Sequence, residues 1–295
     1  MAKIDQGVLS QEFRRPVIYL DHWAVMRLAE NHCVRFVEGV RHANATVLLT
    51  LGMLSEFHNV TSPRTAEAVE KLLNLLMTNV YMASFLPTAP EQDVSPATDL
   101  RLLSYIAMCP RPMDVTGLIS AAPVADQKDK DDYFRFRDVI TATIAEERSK
   151  PDIVRRARTW KPDVSKSLFA NLLRGMKREA FLDAGAKFDT NDSADLLHSM
   201  HATQYADYAL LDGKWAVRAE SVAAKLRAHG LQLPQTRTYS ERKAGLDRFL
   251  SELAAADPAA SIVSHTFAMP MSEVREQARD IERAHGELRS ADASV

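Results

Sequence analysis

The sequence predicts an α/β fold in which a mainly parallel sheet carries helices on both faces. Short apolar runs of strand-forming residues recur at Val17–Leu20, Thr46–Thr50 and Tyr208–Leu211, each too brief for a helix. Stretches with helical periodicity separate them, and a strand–helix–strand alternation calls for crossover connections and parallel pairing. Two of the runs lead directly into aspartates, Asp21 and Asp212. In open parallel sheets, functional groups collect beyond the carboxyl ends of the strands.

Taken in order, Val17–Leu20 is a strand, and Trp23, Val25, Met26 and Leu28 form the apolar stripe of the helix that follows. Thr46–Thr50 is a second buried strand. Gly52 then opens a helix bearing Met53, Leu54, Glu56, Phe57 and Val60. Ser62-Pro63 is a helix start signal, with helical periodicity from Ala66 to Met77, and Asn79–Phe85 offers a third strand. Prolines at 87, 90, 96, 110, 112, 123, 151 and 162 punctuate mostly helical pieces, among them the charged stretch from Asp126 to Arg148. Regularity returns with a helix at 192–206, the strand at Tyr208–Leu211 and an amphipathic helix from Lys214 to His229. Leu231–Leu233 reads as a last short strand and Ser240–Ala255 as a helix, before a polar tail expected to be loosely held. The organisation is therefore a core from 16–85 and 188–235, an insertion or cap at 86–187, and C-terminal helices and tail at 236–295. No internal repeat or low-complexity tract occurs.

Composition narrows the class. The chain has 295 residues, enough for one or two cores, with 46% hydrophobic and 26% charged residues. No run approaches the roughly 20 apolar residues needed to span a bilayer, and residues 1–10 lack the pattern of a signal peptide. The two cysteines, Cys33 and Cys109, form no Cys-x-x-Cys pair, so a disulfide framework or thiolate zinc site is not expected and a cytoplasmic location is. Net charge is −2, but it is unevenly spread: residues 148–178 hold ten Lys/Arg against two Asp, giving that segment +8 and the remainder −10. Such a segment is either an electrostatic footprint for nucleic acid or a solvated helix face.

The acidic residues carry the functional signal. Tyr19-Leu20-Asp21-His22-Trp23 resembles the first strand of PIN domains and the aspartate that ends it. Leu54-Ser55-Glu56-Phe57, followed by Asn59, is similar to the helix that supplies their glutamate. Asp195 to Ala202 and then Ala209-Leu210-Leu211-Asp212 resemble the late helix, strand and final aspartate. The resemblance covers roughly residues 16–85 and 188–235. It implies a PIN-like three-layer sandwich, here with a long helical insertion, and a metal-dependent nuclease acting most often on RNA. The family includes toxin components of toxin–antitoxin pairs. An antitoxin or inhibitor protein and a homodimeric partner copy are thus implied as possible partners, and a toxin or defence role as a setting.

The chemistry of such a cluster is cation binding. Carboxylates converging in one cleft repel one another, and without a cation some stay protonated. Hard divalent ions such as Mg²⁺ or Mn²⁺ take oxygen ligands and can orient a water as nucleophile. The resemblance implies Asp21 and Asp212 as ligands on strand ends, Asp195 as ligand or water-positioning base, and Glu56 completing the site from a facing helix. Asp21 and Asp212 also suit helix N-caps. Asp192 is either a cap or a further ligand, and Asp207 is weighed in the same way. His198, one turn after Asp195, could hydrogen-bond a carboxylate or phosphate; the alternative is a structural histidine. His198-x-x-His201 is a weak zinc signal.

Arg155, Arg156, Arg158 and Lys161, with Lys166, Arg174, Lys177 and Arg178, could track a phosphate backbone. Trp160 among them either stacks on a base or anchors the inserted helices in the core. Two other readings compete with the endoribonuclease: a catalytically inactive PIN-like scaffold that binds RNA or a protein, and a phosphotransfer enzyme on a doubly wound sheet. The second needs a phosphate-gripping glycine loop, and no Gly-x-x-x-x-Gly-Lys exists in the chain.

Overall fold

The alternation of apolar runs and helices resolves, in a computed structural model, into a sheet with helices on both faces. The structure describes residues 6–14, 16–50, 53, 56, 62–76, 79–83, 103–104, 127–166, 168–183, 185, 187–257 and 262–270. The strands are β1 (Gln6–Arg14), β2 (Val17–Leu20), β3 (Thr46–Thr50), β4 (Val80–Ala83), β5 (Leu103–Ser104), β6 (Tyr208–Leu210), β7 (Arg237–Tyr239) and β8 (Ile262–Pro270). The helices, numbered here in chain order, are α1 (His22–Asn31), α2 (Cys33–His42), α3 (Pro63–Leu75), α4 (Gln127–Arg148), α5 (Pro151–Thr159), α6 (Leu168–Leu182), α7 (Thr190–Tyr205), α8 (Gly213–Ala228) and α9 (Gly245–Ala254).

The central sheet has the order β5-β4-β3-β2-β6-β7. Its pairings are parallel apart from the antiparallel edge of β4 with β5. After β2 the chain moves to β3 and β4 on one side, then returns to β6 on the other. The line between β2 and β6 is therefore a topological switch point. The helices that follow these two strands pack on opposite faces and leave a crevice at the strands' carboxyl ends.

Strand alternation divides the core cleanly. Ile18, Leu20, Val47, Leu49 and Leu210 face one side, where they meet α1, α2, α3 and α9. Val17, Tyr19, Leu48, Ala209 and Leu211 face the other, where they meet residues from α4 to α8. Because side chains point to opposite faces with a period of two, both faces of these strands are apolar and both are covered. Helices from the region between residues 127 and 182 thus join α7 and α8 in this layer, with Ile140, Ile144, Leu172 and Met176 buried in it.

Three sequence expectations are corrected. Leu231–Leu233 is not a strand. Pro234 follows it without an N–H for a ladder, and the edge strand instead forms at 237–239, where Arg237 N–H donates to Asp207 O at 2.8 Å. The helix expected from Ser240 starts only at Gly245, after a 3-10 turn at 242–244. Ala244 there has φ of 52°, and a Cβ on Gly245 would lie 2.2 Å from Ser240 O, so the tight entry needs glycine. The tail also contains a strand: β8 pairs antiparallel with β1 from Gln6↔Pro270 to Arg14↔Ile262, in a two-stranded sheet of its own. Leu54, Phe57, Asn59, Val60, Cys109 and the chain beyond residue 270 lie outside the described residues. Among the described residues, no helix is long and apolar enough to cross a membrane.

Candidate metal centre

The crevice between β2 and β6 begins with Asp21. Its backbone N–H extends the β2–β6 ladder by donating to Leu210 O at 3.0 Å, which fixes the residue at the end of the strand. Its side chain then caps α1: Oδ1 accepts from His22 N–H at 2.7 Å, while Oδ2 accepts from Asp212 N–H at 3.3 Å. Asp21 is nonetheless only 5% exposed. Burial is the main force raising its pKa, and the nearby charge of Glu56 adds to it, while His198 and the two backbone donors oppose it.

Glu56 comes from the helical residues that follow β3, so the same strand ends supply it. Its Oε1 lies 3.2 Å from His198 Nε2. Although burial disfavours its charge, the charge and hydrogen bond of His198 prevail and lower its pKa; Arg137 on α4 acts in the same direction.

α7 supplies the rest from its first half. Its N-terminus is held by a capping box in which Asp189 accepts from Asn191 and Asp192 N–H, and Asp192 accepts from Asp189 N–H. Ser193 is tied to Thr141 of α4 at 2.6 Å. Nearly every position from Ser193 to Thr203 is buried, so α7 has no solvent face to present and behaves as a central helix. Asp195 and His198, three residues apart, share one side of it. Burial, then the charge of Asp21, followed by Glu56 and Asp212, raise the Asp195 pKa to about 8, against the opposing charge of His198.

His198 is the pivot of the cluster. It is 2% exposed, and its Nδ1 hydrogen-bonds the Tyr19 hydroxyl, which reaches Thr50 Oγ1 at 3.4 Å. Burial alone would strip its proton. The charge and hydrogen bond of Glu56, with Asp21 and Asp195, overcome that and raise its pKa to about 9. One ligand atom each from Asp21, Glu56 and His198 lies within 4.8 Å of the others, a spacing that could hold a metal ion. Two oxygens and an imidazole nitrogen are a competent donor set for a divalent cation.

The remaining predicted residues divide. Asp212 caps α8, accepting from Lys214 N–H at 2.9 Å, and its charge reaches Asp195 from the exposed rim. Asp192 is used by the capping box and pairs with Lys214 Nζ at 2.9 Å. Asp207 precedes β6 and accepts from Val17 N–H at 2.8 Å, at the amino end of β2. Because β2 and β6 run parallel, it stands at the opposite end of the sheet, four residues or roughly 13 Å from the Asp21 end at about 3.3 Å per strand residue. It is a strand anchor and not a metal ligand of this crevice. His201 turns away too: Nδ1 hydrogen-bonds Leu197 O at 2.8 Å, and burial lowers its pKa to about 4.

Arg155, Arg156, Arg158 and Lys161 are exposed on and just after α5, which packs on α4 and α6. Arg155 pairs with Asp152 at 2.8 Å, an exposed contact worth about 0–1 kcal/mol. Trp160 packs against the α4–α8 core with Lys225 Nζ 5.2 Å from its ring centroid, so it anchors the layer.

The residues that sequence reasoning missed are Tyr19, Thr50 and Arg137. Period-two alternation carried a usable signal for the first two: Val17, Tyr19 and Asp21 share one face of β2, as Leu48 and Thr50 do on β3. Arg137 had no local signal, because only the packing of α4 on α7 brings its charge to Glu56.

Fold and site together define a three-layer α/β protein with a buried carboxylate–histidine cluster at its switch point. In comparisons with known proteins, the chain matches no family model, no curated protein and no solved structure.

Proposed function

We propose that this chain is a metal-dependent nuclease of PIN-like type that hydrolyses RNA phosphodiester bonds. The observation that carries the reading is the close grouping of Asp21, Glu56 and His198 at the carboxyl ends of β2 and β3, with Asp195 near enough to feel the charges of Asp21 and Glu56. A fold gains nothing in stability from burying mutually repelling carboxylates, since burial and repulsion both disfavour their charge. A bound cation gives the arrangement a purpose.

Asp21, Glu56 and His198 would hold the ion, with Asp195 and Asp212 directly or through water. When bound, Mg²⁺ or Mn²⁺ would lower the pKa of a coordinated water and offset charge gathering on the phosphate. The chain's own residues do the rest. The strand ladder and two backbone N–H groups fix Asp21. Tyr19 holds the His198 ring. Asp195, on the rigid first half of α7, is placed to take a proton from an attacking water once a cation has restored its charge. Arg137 puts positive charge beside Glu56, and the α5 basic face would supply a track for the rest of a polyanion.

The test is cleavage of mixed single-stranded RNA and DNA by the purified protein with Mg²⁺, Mn²⁺ or EDTA, beside Asp21→Asn. Cleavage that needs metal and falls at least about 100-fold in the variant is expected. Equal cleavage by the variant, or none by the wild type with either metal, would remove the reading.

A further inference from the structure

The four-carboxylate resemblance implies an oxygen site, yet one of the three converging donors is a nitrogen. His198 Nε2 faces Glu56 Oε1 at 3.2 Å, and its ring is held from behind by the Tyr19 hydroxyl. The order of donors can be followed outward. Nδ1–H can donate to the Tyr19 oxygen, and the Tyr19 hydroxyl can donate to Thr50 Oγ1 at 3.4 Å. In the metal-free protein Nε2–H then donates to Glu56 Oε1, and a cation at the point where Asp21 also converges would take the place of that proton. The tether on the far ring nitrogen is the arrangement by which proteins orient a metal-binding histidine.

We propose that His198 Nε2 is a direct metal ligand, and that the site consequently selects a divalent transition ion of the Mn²⁺, Co²⁺ and Zn²⁺ class over Mg²⁺. Imidazole suits first-row transition ions, whereas Mg²⁺ favours oxygen ligands and retains its waters. Tyr19 is a positioning residue that acts through the histidine. The inference rests on the nuclease reading only for what the metal does, since binding can be measured without turnover.

The experiment uses the full chain loaded with Mn²⁺ and pulsed EPR, with histidine at natural abundance and again labelled with ¹⁵N. Modulation from one directly bound nitrogen, shifting with the label, is expected. Calorimetry should give Mn²⁺ at least about tenfold tighter than Mg²⁺, a preference that His198→Gln removes. Tyr19→Phe keeps the ring and removes the tether; it should weaken Mn²⁺ binding about tenfold. Mn²⁺ bound to the wild type without nitrogen coupling would overturn the proposal, whether or not His198→Gln folds and even if RNA is cleaved. No Mn²⁺ binding at all would overturn both the proposal and the nuclease reading. Nitrogen coupling in a protein that cleaves neither RNA nor DNA supports the metal assignment and removes the nuclease reading alone.

Discussion

Asp21 ends a strand, caps a helix and sits in the acidic cluster, and these roles respond differently to substitution. Asparagine caps a helix about as well as aspartate, so Asp21→Asn keeps the bond to His22 N–H while removing the charge. Its raised pKa says that the folded protein disfavours that charge. In EDTA, Asp21→Asn should therefore unfold at a higher temperature than the wild type, and thermal melts followed by circular dichroism check this. A lower midpoint would mean that the pairing of Asp21 with His198 outweighs its burial. Legibility at this scale was uneven. Asp21 and Asp212 were visible because a strand can be read locally and its last residue located. The bond between His198 and Glu56 was not, because 142 residues separate them.

Elements pack by shape as well as by pattern. α6 and α8 approach closely at Gly175, where an added Cβ would meet Val222 Cγ1 at 2.6 Å and Trp160 Cη2 at 3.3 Å. Gly175→Ala gains helix propensity but overpacks a β-branched neighbour with little room to move. The second effect should win, at a cost of about 1–3 kcal/mol in denaturant unfolding; a stabilised variant would show that the two helices can part without loss. α5 offers the opposite case, a surface element that packing leaves free. Changing Arg155, Arg156 and Arg158 together to Gln should weaken RNA binding and flatten its dependence on salt, with little effect on melting. An unchanged salt slope would assign that face to solvent. Helix and strand positions were largely legible, as at Val17–Leu20 and Thr46–Thr50, where local pattern and burial agree. The exceptions lie where a turn intervenes, at Ala244-Gly245, or where an apolar pair anchors a loop, at Leu231 and Leu233.

For the whole molecule, the buried cluster ties stability to pH. His198 has its pKa raised from 6.5 to about 9, so the stabilisation it brings is complete below pH 6.5 and is lost as pH rises through 9. Asp195, raised from 3.8 to about 8, resists ionising in the folded state, so stability also declines as pH climbs from about 4 to 8. His201 runs the other way: lowered from 6.5 to about 4, it supports the fold above 6.5 and ceases to as pH falls through 4. The first two act together above pH 6.5. The metal-free protein should lose thermal stability from pH 6.5 to 9, with Asp195→Asn showing a shallower decline. A midpoint that rises over that range would contradict the cluster.

What the sequence determined by itself was local: alternating strands and helices, two aspartates on strand ends, a capping role for Asp192 at the start of α7, and the basic composition of α5. These follow from backbone propensity and from periods of two and 3.6 residues, which neighbouring positions reveal. The tertiary structure alone decided which ends of the strands meet. Parallel pairing of β2 with β6 sent Asp207 to one end of the sheet and brought Asp21 and Asp212 to the other. Packing of α4 on α7 turned a stretch that read as an insertion into part of a core layer and brought Arg137 to the acids. The grouping of a histidine nitrogen with two carboxylates was decided there too, because such a grouping is a property of distances between atoms, and chain separation does not encode those distances.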